Sequence, residues 1–416
     1  MAGGGCGRAR LSGHGSDRPS RAAGPRQTAR GSGHGRAGGI ADILAAMAAT
    51  FTTVGRILTG ADSSEELGKV AAGLGRRALL VTGRGALRSA GISDRLTGSL
   101  ESAGVEVSLF EEVEPEPGVE TVDRARAALR EGGCDLVVAA GGGSAIDVGK
   151  AAAALAEALA PTGEYFTGRP VPESGRPCIA IPTTAGTGAE VTPNSVLTDA
   201  ARDTKQSIRG PGLLPEVAIV DPTLTVSCPP VVTAAAGMDA LVQAIESYLS
   251  RRATPLTEAM SLQAVELIWK NILAADQAGD DLPAREAMCY GALLAGMALA
   301  NARLGAVHGL AHAIGHRCRV RHGVVCAVLL PHVLRFNREA ALEKYEVLSG
   351  LLGVDPAEAA AWLLVRLGMP QRLGEVGLSE ADFDYVTAES MPSGSLAANP
   401  RPATAEDVRQ ILRGAL

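Results

Sequence analysis

The sequence predicts an α/β domain built on a parallel sheet, followed by an all-α domain. In the first half, short apolar runs of strand type alternate with amphipathic runs of helical spacing. Strands that alternate with helices indicate βαβ units and therefore a parallel sheet. After Asp221 and Pro222 the strand-type runs cease, and the apolar pattern keeps helical spacing. We therefore place the two domains at 49–225 and 226–416.

The individual elements follow from the same periodicities. Strands are predicted at 78–82, 105–110, 135–140 and 178–181, and helices at 65–74, 92–102, 119–131 and 145–159. The second domain is predicted to contain helices at 233–250, 257–275, 284–304, 308–316, 324–346 and 356–367.

Length and composition bound the class of protein. A chain of 416 residues is too long for one small core, which favours two domains. A formal net charge of −6 gives no sign of general nucleic-acid binding. No apolar run approaches the roughly 18–20 residues of a membrane span. The sequence therefore predicts a mildly acidic globular protein without a nucleic-acid or membrane partner.

The seven cysteines are odd in number and scattered, and no CxxC pair occurs. This usage favours a reduced, cytoplasmic protein over a disulfide framework. Cys318 and Cys326 flank His322, so a Cys/His metal site has to be considered. Their spacing matches no zinc-finger pattern.

Residues 1–48 form a leader rich in Gly, Arg, Ser and Ala. Its first forty residues hold seven arginines against one acid, Asp17, and they lack the apolar core of a secretory signal. Such a segment cannot bury enough surface to fold. We expect a disordered leader or an over-long gene start, since Met47 would by itself begin a compact protein. An organellar transit peptide is the alternative.

A glycine-rich turn, 141–144, joins the strand at 135–140 to the next helix. Such a turn lets backbone N–H groups and a helix N-terminus approach a phosphate. The Walker A pattern fails because Ala151 follows Lys150, and the GxGxxG pattern fails because Ile146 holds its last position. The alternative is a tight turn with Ser144 capping the helix.

A second polar loop, 182–190, follows the next strand and offers threonine hydroxyls beside two glycines. Loops at the carboxyl ends of parallel strands meet at the ligand crevice. We therefore expect this loop and the glycine-rich turn to line the same site.

Five of the seven histidines lie between positions 308 and 332. His308, His312 and His316 are spaced i, i+4, i+8, which places them on one face of a helix. Imidazole is the commonest metal ligand and can also shuttle protons. This stretch therefore predicts a metal or proton-transfer site.

Together these stretches resemble the iron-containing (group III) alcohol dehydrogenases. The resemblance is carried by segments 141–150, 182–190, 221–222 and 237–246 and by the histidine stretch, which occur in the family's order. It covers about residues 50 to 416 and implies a dehydroquinate synthase-like architecture. In that architecture a dinucleotide-binding α/β domain precedes a helical domain, with a divalent metal and the nicotinamide ring in the cleft between them.

The resemblance implies metal ligands at Asp239, at the residue four positions later, at His308 and at His322. The second position holds Gln243 where the family has histidine. A neutral amide oxygen binds first-row metals more weakly than imidazole does. We therefore expect lower affinity, or a preference moved from Fe²⁺ towards Zn²⁺ or Mn²⁺, or a metal-free reductase. The alternative for Asp239 and Gln243 is a surface-facing polar stripe.

The remaining histidines receive different roles. His312 is implied as a proton relay, with packing against the cofactor as its alternative. His316 and His332 match no family motif, so we expect them to be structural.

The resemblance also implies how NAD(P)(H) is held. The pyrophosphate would be bound by Gly142, Gly143 and Ser144. The inner half of the cofactor would be lined by Thr183, Thr184 and Thr187. Lys205 would reach the ribose or its vicinity, and Asp147 is a weaker candidate for binding the cofactor.

Many NAD-using members carry an aspartate shortly after the first strand, where this chain has Gly83 and Arg84. Without the carboxylate a 2′-phosphate is not repelled, and Arg84 can attract it. We predict that NADP(H) is accepted, with a leaning towards it. The alternative is that Arg84 is a solvated surface charge.

The predicted activity is hydride transfer between NAD(P)(H) and a small alcohol or aldehyde, by a cytoplasmic homodimer or larger homo-oligomer. Alternatives within the family are a maleylacetate reductase, which tends to lose the metal-binding aspartate kept here, and a phosphonoacetaldehyde-type reductase. An alternative of another class is a sugar-phosphate cyclase or glycerol-phosphate dehydrogenase, with Arg317, Arg319 and Arg321 as its basic cluster. A non-enzymatic metal- or nucleotide-binding protein is the last alternative.

Overall fold

The computed structural model of the chain describes residues 49–416. The predictions for residues 1–48 lie outside the described residues. The first part contains the strands β1 (Arg56–Thr59), β2 (Arg77–Gly83), β3 (Glu106–Val113), β4 (Leu136–Gly141), β5 (Cys178–Pro182), β6 (Asn194–Asp199), β7 (Thr204–Arg209) and β8 (Val217–Val220). Its helices are α1 (Leu67–Ala72), α2 (Ala86–Ser89), α3 (Ile92–Ser102), α4 (Val119–Glu131) and α5 (Gly143–Ala154).

The second part is helical. It comprises α6 (Pro230–Leu249), α7 (Pro255–Gln277), α8 (Leu282–Ala302), α9 (Ala306–Cys318), α10 (His322–Asn337), α11 (Leu342–Leu352), α12 (Pro356–Arg366), α13 (Phe383–Ser390) and α14 (Ala405–Ala415). These helices share one apolar core, to which α6 contributes Met238 and Leu241 and α9 contributes Leu310.

Six strands form one parallel sheet in the order β1-β8-β5-β4-β2-β3. The central strand β4 is buried along its whole length, as expected for a parallel strand covered on both faces. Alternate residues of β2 pack on opposite sides: Leu79 lies in the core with Val148 of α5, and Leu80 in the core with Leu96 of α3. The predicted fold class, a parallel α/β domain followed by a helical one, is confirmed.

Several predicted elements match the structure, and others need correction. The helices at 92–102 and 119–131 have the predicted bounds. The helix predicted to reach 159 ends at Ala154. Just after its end, the guanidinium of Arg126 donates a hydrogen bond to the carbonyl oxygen of Leu155 at 2.9 Å. The helix predicted at 324–346 is two helices, α10 and α11. The first ends at Asn337, whose side chain is held by hydrogen bonds to Asn399.

Other elements were not predicted, namely β1, β8, the antiparallel pair β6–β7, α2, α13 and α14. Among residues 49–416, no single helix is long and apolar enough to cross a membrane. Two pairs of consecutive helices, bent by 103° and 44° at the break, reach the required length and composition only when the two helices of a pair are counted as one.

The site is positioned by the carboxyl ends of two neighbouring strands and by the helical part. Gly141 at the end of β4 is paired in register with Pro182 at the end of β5. The loop after β5 then touches α8: a Cβ on Gly188 (φ 61°) would lie 2.4 Å from the Cα of Gly296. Because only glycine permits this approach, the cofactor loops and the helical part meet directly.

Candidate active site

The glycine-rich turn connects β4 to α5 as predicted. Gly141 has φ 144°, and Gly142 is the extended N-cap residue of α5. Ser144 therefore lies inside the first turn and is not the capping residue. A Cβ on Gly143 would come within 2.8 Å of the Thr187 side chain. The structure thus brings the glycine turn against the threonine loop, with the N-terminus of α5 open to an anion.

Six of the residues predicted to bind the cofactor line one cavity of about 680 Å³. Among its lining residues are Gly83, Arg84, Gly142, Ser144, Thr183 and Thr184. The guanidinium of Arg84 donates to the carbonyl of Glu112 at 3.1 Å and lies 3.6 Å from the carboxylate of Glu114. Arg84 therefore lines the cavity, and the carboxylate of Glu114 partly offsets its positive charge.

A second cavity, of about 220 Å³, brings the two groups of predicted residues together. Its walls include Gly143, Ser144, Asp147, Thr187 and Lys205 from the α/β part, and Asp239, Gln243, His308, His312 and His322 from the helical part. The turn, the threonine loop and the histidine stretch, which are far apart in sequence, therefore face one space.

Two charged residues of this cavity also have partners within the protein. Lys205 forms a salt bridge with Glu116. The carboxylate of Asp147 accepts a hydrogen bond from the backbone N–H of Val196 at 3.0 Å and lies 3.1 Å from Nζ of Lys150. Burial raises the pKa of Asp147, and Lys150 opposes that effect. These contacts give both residues a structural role at the wall of the site.

The predicted metal ligands converge from three helices. His308 Nε2 lies 3.3 Å from Oδ1 of Asp239, and His322 Nε2 lies 3.8 Å from the same oxygen. Gln243 donates from Nε2 to Oδ2 of Asp239 at 2.9 Å. Asp239 and Gln243 are 3% and 4% exposed, which excludes the alternative of a surface stripe.

Local packing makes this convergence possible. α10 begins at His322, and a Cβ on the next residue, Gly323, would come within 2.2 Å of the carbonyl oxygen of Ala235 in α6. Only a glycine lets the two helices approach so closely. The close contact brings His322 to the side chain of Asp239.

Glu246 is a candidate site residue that the sequence motifs did not single out as a ligand or relay. Its carboxylate lies 2.7 Å from Nδ1 of His308 and accepts the backbone N–H groups of Val307 and His308 at the start of α9. Gly305 leaves room for it, since a Cβ there would lie 2.7 Å from Oε1 of Glu246. The signal was present: Asp239, Gln243 and Glu246 follow the i, i+4, i+7 spacing of one helix face.

This carboxylate directs the other nitrogen of His308 towards Asp239, the arrangement found for metal-binding histidines. Oδ1 of Asp239 and Nε2 of His308 are both buried without a hydrogen-bond partner within residues 49–416. Buried polar atoms left unpaired are costly and rare. A cation between them would satisfy both, so the residues present fit a divalent metal.

The three histidines of the site have different pKa shifts. Burial alone would lower the pKa of His308, but Cys326, Asp239 and Glu246 outweigh it and raise that pKa well above its usual value. Burial, with the charge of Lys205 adding to it, lowers the pKa of His312 to about 3. Burial lowers the pKa of His322 well below its usual value, and His312 contributes.

His312 stacks on His322 with ring centroids 4.8 Å apart, and its Nδ1 lacks a partner among the residues described. His316 lies at the rim, where its Nε2 is 2.8 Å from the carboxylate of Asp203. His332 does not line either of the two cavities that hold the predicted cofactor and metal residues.

A cysteine also reaches the predicted metal site. Sγ of Cys326, on α10, lies 3.4 Å from Nε2 of His322. Four possible ligand atoms lie within 4.8 Å of one another, one each from Asp239, His308, His322 and Cys326. The sequence brought Cys326 into consideration only through its closeness to His322 along the chain.

Comparison with known proteins agrees with this geometry. The family model for iron-containing alcohol dehydrogenase matches residues 55–222, and the model for the C-terminal part of that family matches residues 233–416. The chain is 41% identical over 355 residues to 1,3-propanediol dehydrogenase of Klebsiella pneumoniae, with 82% of this chain and 92% of the relative covered. It is 35% identical over 381 residues to an NADPH-dependent butanol dehydrogenase of Clostridium saccharobutylicum, with 87% and 96% covered.

Among solved structures, a 1,3-propanediol oxidoreductase superposes with a TM-score of 0.84 at 37% identity, covering 89% of this chain and all of that one. The shared sequence, fold and clustering of acidic and histidine side chains lead to one conclusion: the chain belongs to the iron-containing alcohol dehydrogenase family.

Proposed function

We propose that this chain transfers a hydride between NAD(P)(H) and a small alcohol or aldehyde at a divalent metal held by Asp239, His308 and His322, with Gln243 beside it. The observation that carries the proposal is the pair of buried, unpartnered atoms, Oδ1 of Asp239 and Nε2 of His308, 3.3 Å apart in the cavity shared with the glycine turn. The family's alcohol-dehydrogenase relatives support the same reaction class.

Different residues of the chain would orient the metal ligands and transfer the proton. When bound, the metal polarises a carbonyl or lowers the pKa of an alcohol, and the nicotinamide gives or takes the hydride. Glu246 fixes the orientation of His308 through its 2.7 Å contact with Nδ1. His312, whose Nδ1 has no partner among the residues described, would relay the proton of the alcohol oxygen.

Pre-positioning of the reactants contributes as well. The pyrophosphate would be held at the N-terminus of α5 by Gly142, Gly143 and Ser144. The side chain of Thr187 packs against Gly143. Both parts of the chain line the cavity, so a bound cofactor and substrate would displace water from the space between them.

The test is to measure oxidation of reduced nicotinamide with a panel of aldehydes, with and without added Fe²⁺, Zn²⁺ or Mn²⁺. We expect metal-dependent activity in the unchanged protein and its loss in His308→Ala. His332→Asn is the matched control and should keep full activity. Full activity and metal content in His308→Ala would refute the site.

For the cofactor, we propose that NADP(H) is accepted and favoured. Arg84 lines the outer cavity, where its charge can meet a 2′-phosphate, and a relative carries the name NADPH-dependent butanol dehydrogenase. Glu114 reduces this attraction. The ratio of kcat/KM for NADPH to that for NADH should fall in Arg84→Gln, and a strong NADH preference in the unchanged protein would refute the proposal.

The alternative of a sugar-phosphate cyclase or glycerol-phosphate dehydrogenase is less well supported. Its candidate basic cluster does not line either cavity: Arg317, Arg319 and Arg321 are absent from the walls, and Arg317 pairs with Asp382 at 2.7 Å.

We also propose a cytoplasmic homo-oligomer. The six cysteines among residues 49–416 are all free thiols, which suits a reducing compartment. Apolar side chains exposed on α11 and α12, including Val347, Trp362 and Val365, would be covered in an assembly. Light scattering during gel filtration measures the assembly, and cell fractionation measures the compartment. A strictly monomeric protein or a secreted one would contradict this proposal.

A further inference from the structure

Gln243 uses the nitrogen of its amide to hold the carboxylate of Asp239. Its Nε2 donates to Oδ2 of Asp239 at 2.9 Å, so the amide nitrogen faces the carboxylate and holds it in place. Its Oε1 is buried without a hydrogen-bond partner among residues 49–416, but a neutral amide oxygen is a weaker metal ligand than a thiolate.

Cys326 occupies the position from which a fourth ligand can reach the site. It lies one helical turn after His322 on α10, so both side chains project from the same face. Cys326 is fully buried, and its Sγ lies 3.4 Å from Nε2 of His322. The thiol therefore lies at the metal cluster and has no access to bulk solvent.

The separations of these atoms match a metal tetrahedron. Zinc binds N or O at about 2.0–2.1 Å and S at about 2.3 Å, which gives edges of about 3.3–3.4 Å between N and O ligands and about 3.6 Å between N and S ligands. The structure has 3.3 and 3.8 Å from Asp239 Oδ1 to His308 and His322, and 3.4 Å from His322 to Cys326. In the protein without metal, the 3.4 Å contact between His322 and Cys326 is a hydrogen bond, and the same separation suits two ligands of one ion.

We propose that Cys326, and not Gln243, completes the metal site, giving the ligand set Asp239, His308, His322 and Cys326. The sulfur–metal bond replaces the S–H bond, and the proton leaves with the hydration water that the incoming ion sheds. Thiolate is a soft ligand that suits zinc and cobalt, so this site should prefer Zn²⁺ to Fe²⁺. The inference rests on the metal site proposed above.

The test uses Co²⁺ as the probe, since a thiolate bound to cobalt gives a charge-transfer band in the near ultraviolet. We expect the band in the unchanged protein and its loss in Cys326→Ser, together with at least about a tenfold loss of Zn²⁺ affinity. Cys318→Ser, on the preceding helix, is the matched control and should keep both. Gln243→Ala should also keep the band, which separates the two candidate ligands even if Cys326→Ser folds poorly.

The outcomes are distinguishable. Cobalt binding without a thiolate band, or a band that is unchanged in Cys326→Ser, would overturn the role of Cys326 and leave the proposed function standing. A chain that binds no cobalt or zinc would overturn the metal site itself, and the role of Cys326 with it. Stronger binding of Fe²⁺ than of Zn²⁺ would overturn the preference.

A third cavity, of about 270 Å³, lies beside His312. It shares Lys205, Arg209, His312 and two serines with the metal cavity, so a substrate bound at the metal can extend into it. Arg303 and Arg209 both line it.

The cations of this third cavity differ in their partners. Lys205 is paired with Glu116, and His316 with Asp203. No carboxylate within residues 49–416 forms a salt bridge with Arg209 or Arg303, although Glu389 lies on the same wall. Two guanidinium groups without partners at one cavity leave it short of negative charge.

Arg303 is held in a costly backbone conformation. It follows α8 with φ 67° and ψ −177°, a region that is otherwise used by glycine. A long charged side chain at such a position is a sign of function, since glycine would relieve the strain. The pKa of Arg209 is lowered by partial burial and by the nearby charge of Arg303, and the carboxylate of Asp147 opposes this shift.

We infer that Arg209 and Arg303 bind a carboxylate at the far end of the substrate, so that the preferred substrates are aldehydes with a terminal carboxylate. Guanidinium groups bind carboxylates through charged, often paired hydrogen bonds. This inference deepens the proposed function and depends on it.

The probes are ω-oxo carboxylates of increasing chain length and their neutral methyl esters. We expect kcat/KM for the best acid to exceed that for its ester by at least about tenfold. In Arg303→Gly that ratio should fall towards one while activity on the ester is kept. Arg209→Gln should act in the same direction, and Glu389→Gln, which removes a negative charge from the same wall, should keep or raise the ratio.

Equal kcat/KM values for acids and esters in the unchanged protein, or a ratio that survives Arg303→Gly, would overturn the carboxylate subsite. Failure to reduce any acid, ester or simple aldehyde would instead overturn the proposed function.

Discussion

Replacing Glu246 by glutamine tests how the protein prepares His308 for a metal. Oε1 of Glu246 accepts the N–H of Val307 at 2.6 Å, while Oε2 meets Nδ1 of His308 at 2.7 Å. A glutamine has one acceptor oxygen, so satisfying the N–H of Val307 turns its NH₂ group towards Nδ1. The hydrogen bond that fixes the imidazole is then lost.

The magnitude follows from that single contact. A hydrogen bond to a charged group contributes about 1.5–3 kcal/mol. At about 1.4 kcal/mol for each tenfold change, this corresponds to a loss of metal affinity of about 10–100-fold. Competition with a chelator of known affinity measures it, with Zn²⁺ as the metal. kcat/KM at limiting Zn²⁺ should fall in parallel.

Glu266→Gln is the matched control, since it removes a carboxylate that is paired with Lys270 on the exposed side of α7. It should leave metal affinity unchanged. If Glu246→Gln bound Zn²⁺ within a factor of about two of the unchanged protein, the reasoning that Glu246 orients His308 would be refuted.

Two predictions concern stability. Burial by itself would raise the pKa of Asp221, but hydrogen bonds from Ser64 and from a threonine outweigh it and hold that pKa below its usual value. A lowered carboxyl pKa stabilises the fold above the pKa of the unfolded chain and ceases to do so as the pH falls. The gap in Tm between the unchanged protein and Asp221→Asn should therefore be widest at neutral pH and shrink below about pH 4. Gly149→Ala should lose about 1–3 kcal/mol in urea unfolding, because the new methyl would lie 2.4 Å from that of Ala139.

Gly98→Ala is the control for the second of these, since a Cβ at this position on α3 meets nothing within 4 Å. It should be neutral or stabilising by up to about 1 kcal/mol. A Tm gap for Asp221→Asn that does not change with pH, or equal effects of the two glycine substitutions, would contradict these accounts.

The bounds of a helix were predictable where an amphipathic sequence pattern is flanked by residues that end helices. The helix at 119–131 has both an amphipathic pattern and glycines at either end, and its bounds were found from the sequence. β1 and β8 are four residues long and pair with each other across most of the α/β part. Their strand character comes from long-range pairing, so periodicity did not reveal them.

The break between α10 and α11 has a similar origin. Its apolar spacing continues past Asn337, and the helix ends there because Asn399, sixty-two positions later, holds the buried side chain of Asn337. A contact of that kind is invisible to any local pattern.

The site was partly predictable for the same reason. Asp239 and the histidines were found through motifs. Glu246 lies on the same helix face and could have been found from its spacing, but its contact with His308 depends on how α9 docks. The positions of Cys326 and the two unpaired arginines relative to the metal cavity follow from tertiary packing alone.

The proposed function requires a metal held by Asp239, His308 and His322. Elemental analysis of the purified protein and of His308→Ala, each loaded with Zn²⁺ and passed through a desalting column, tests it. We predict about one metal ion per chain in the unchanged protein and almost none in His308→Ala, with normal folding by circular dichroism. Equal metal content in the two proteins would contradict the account.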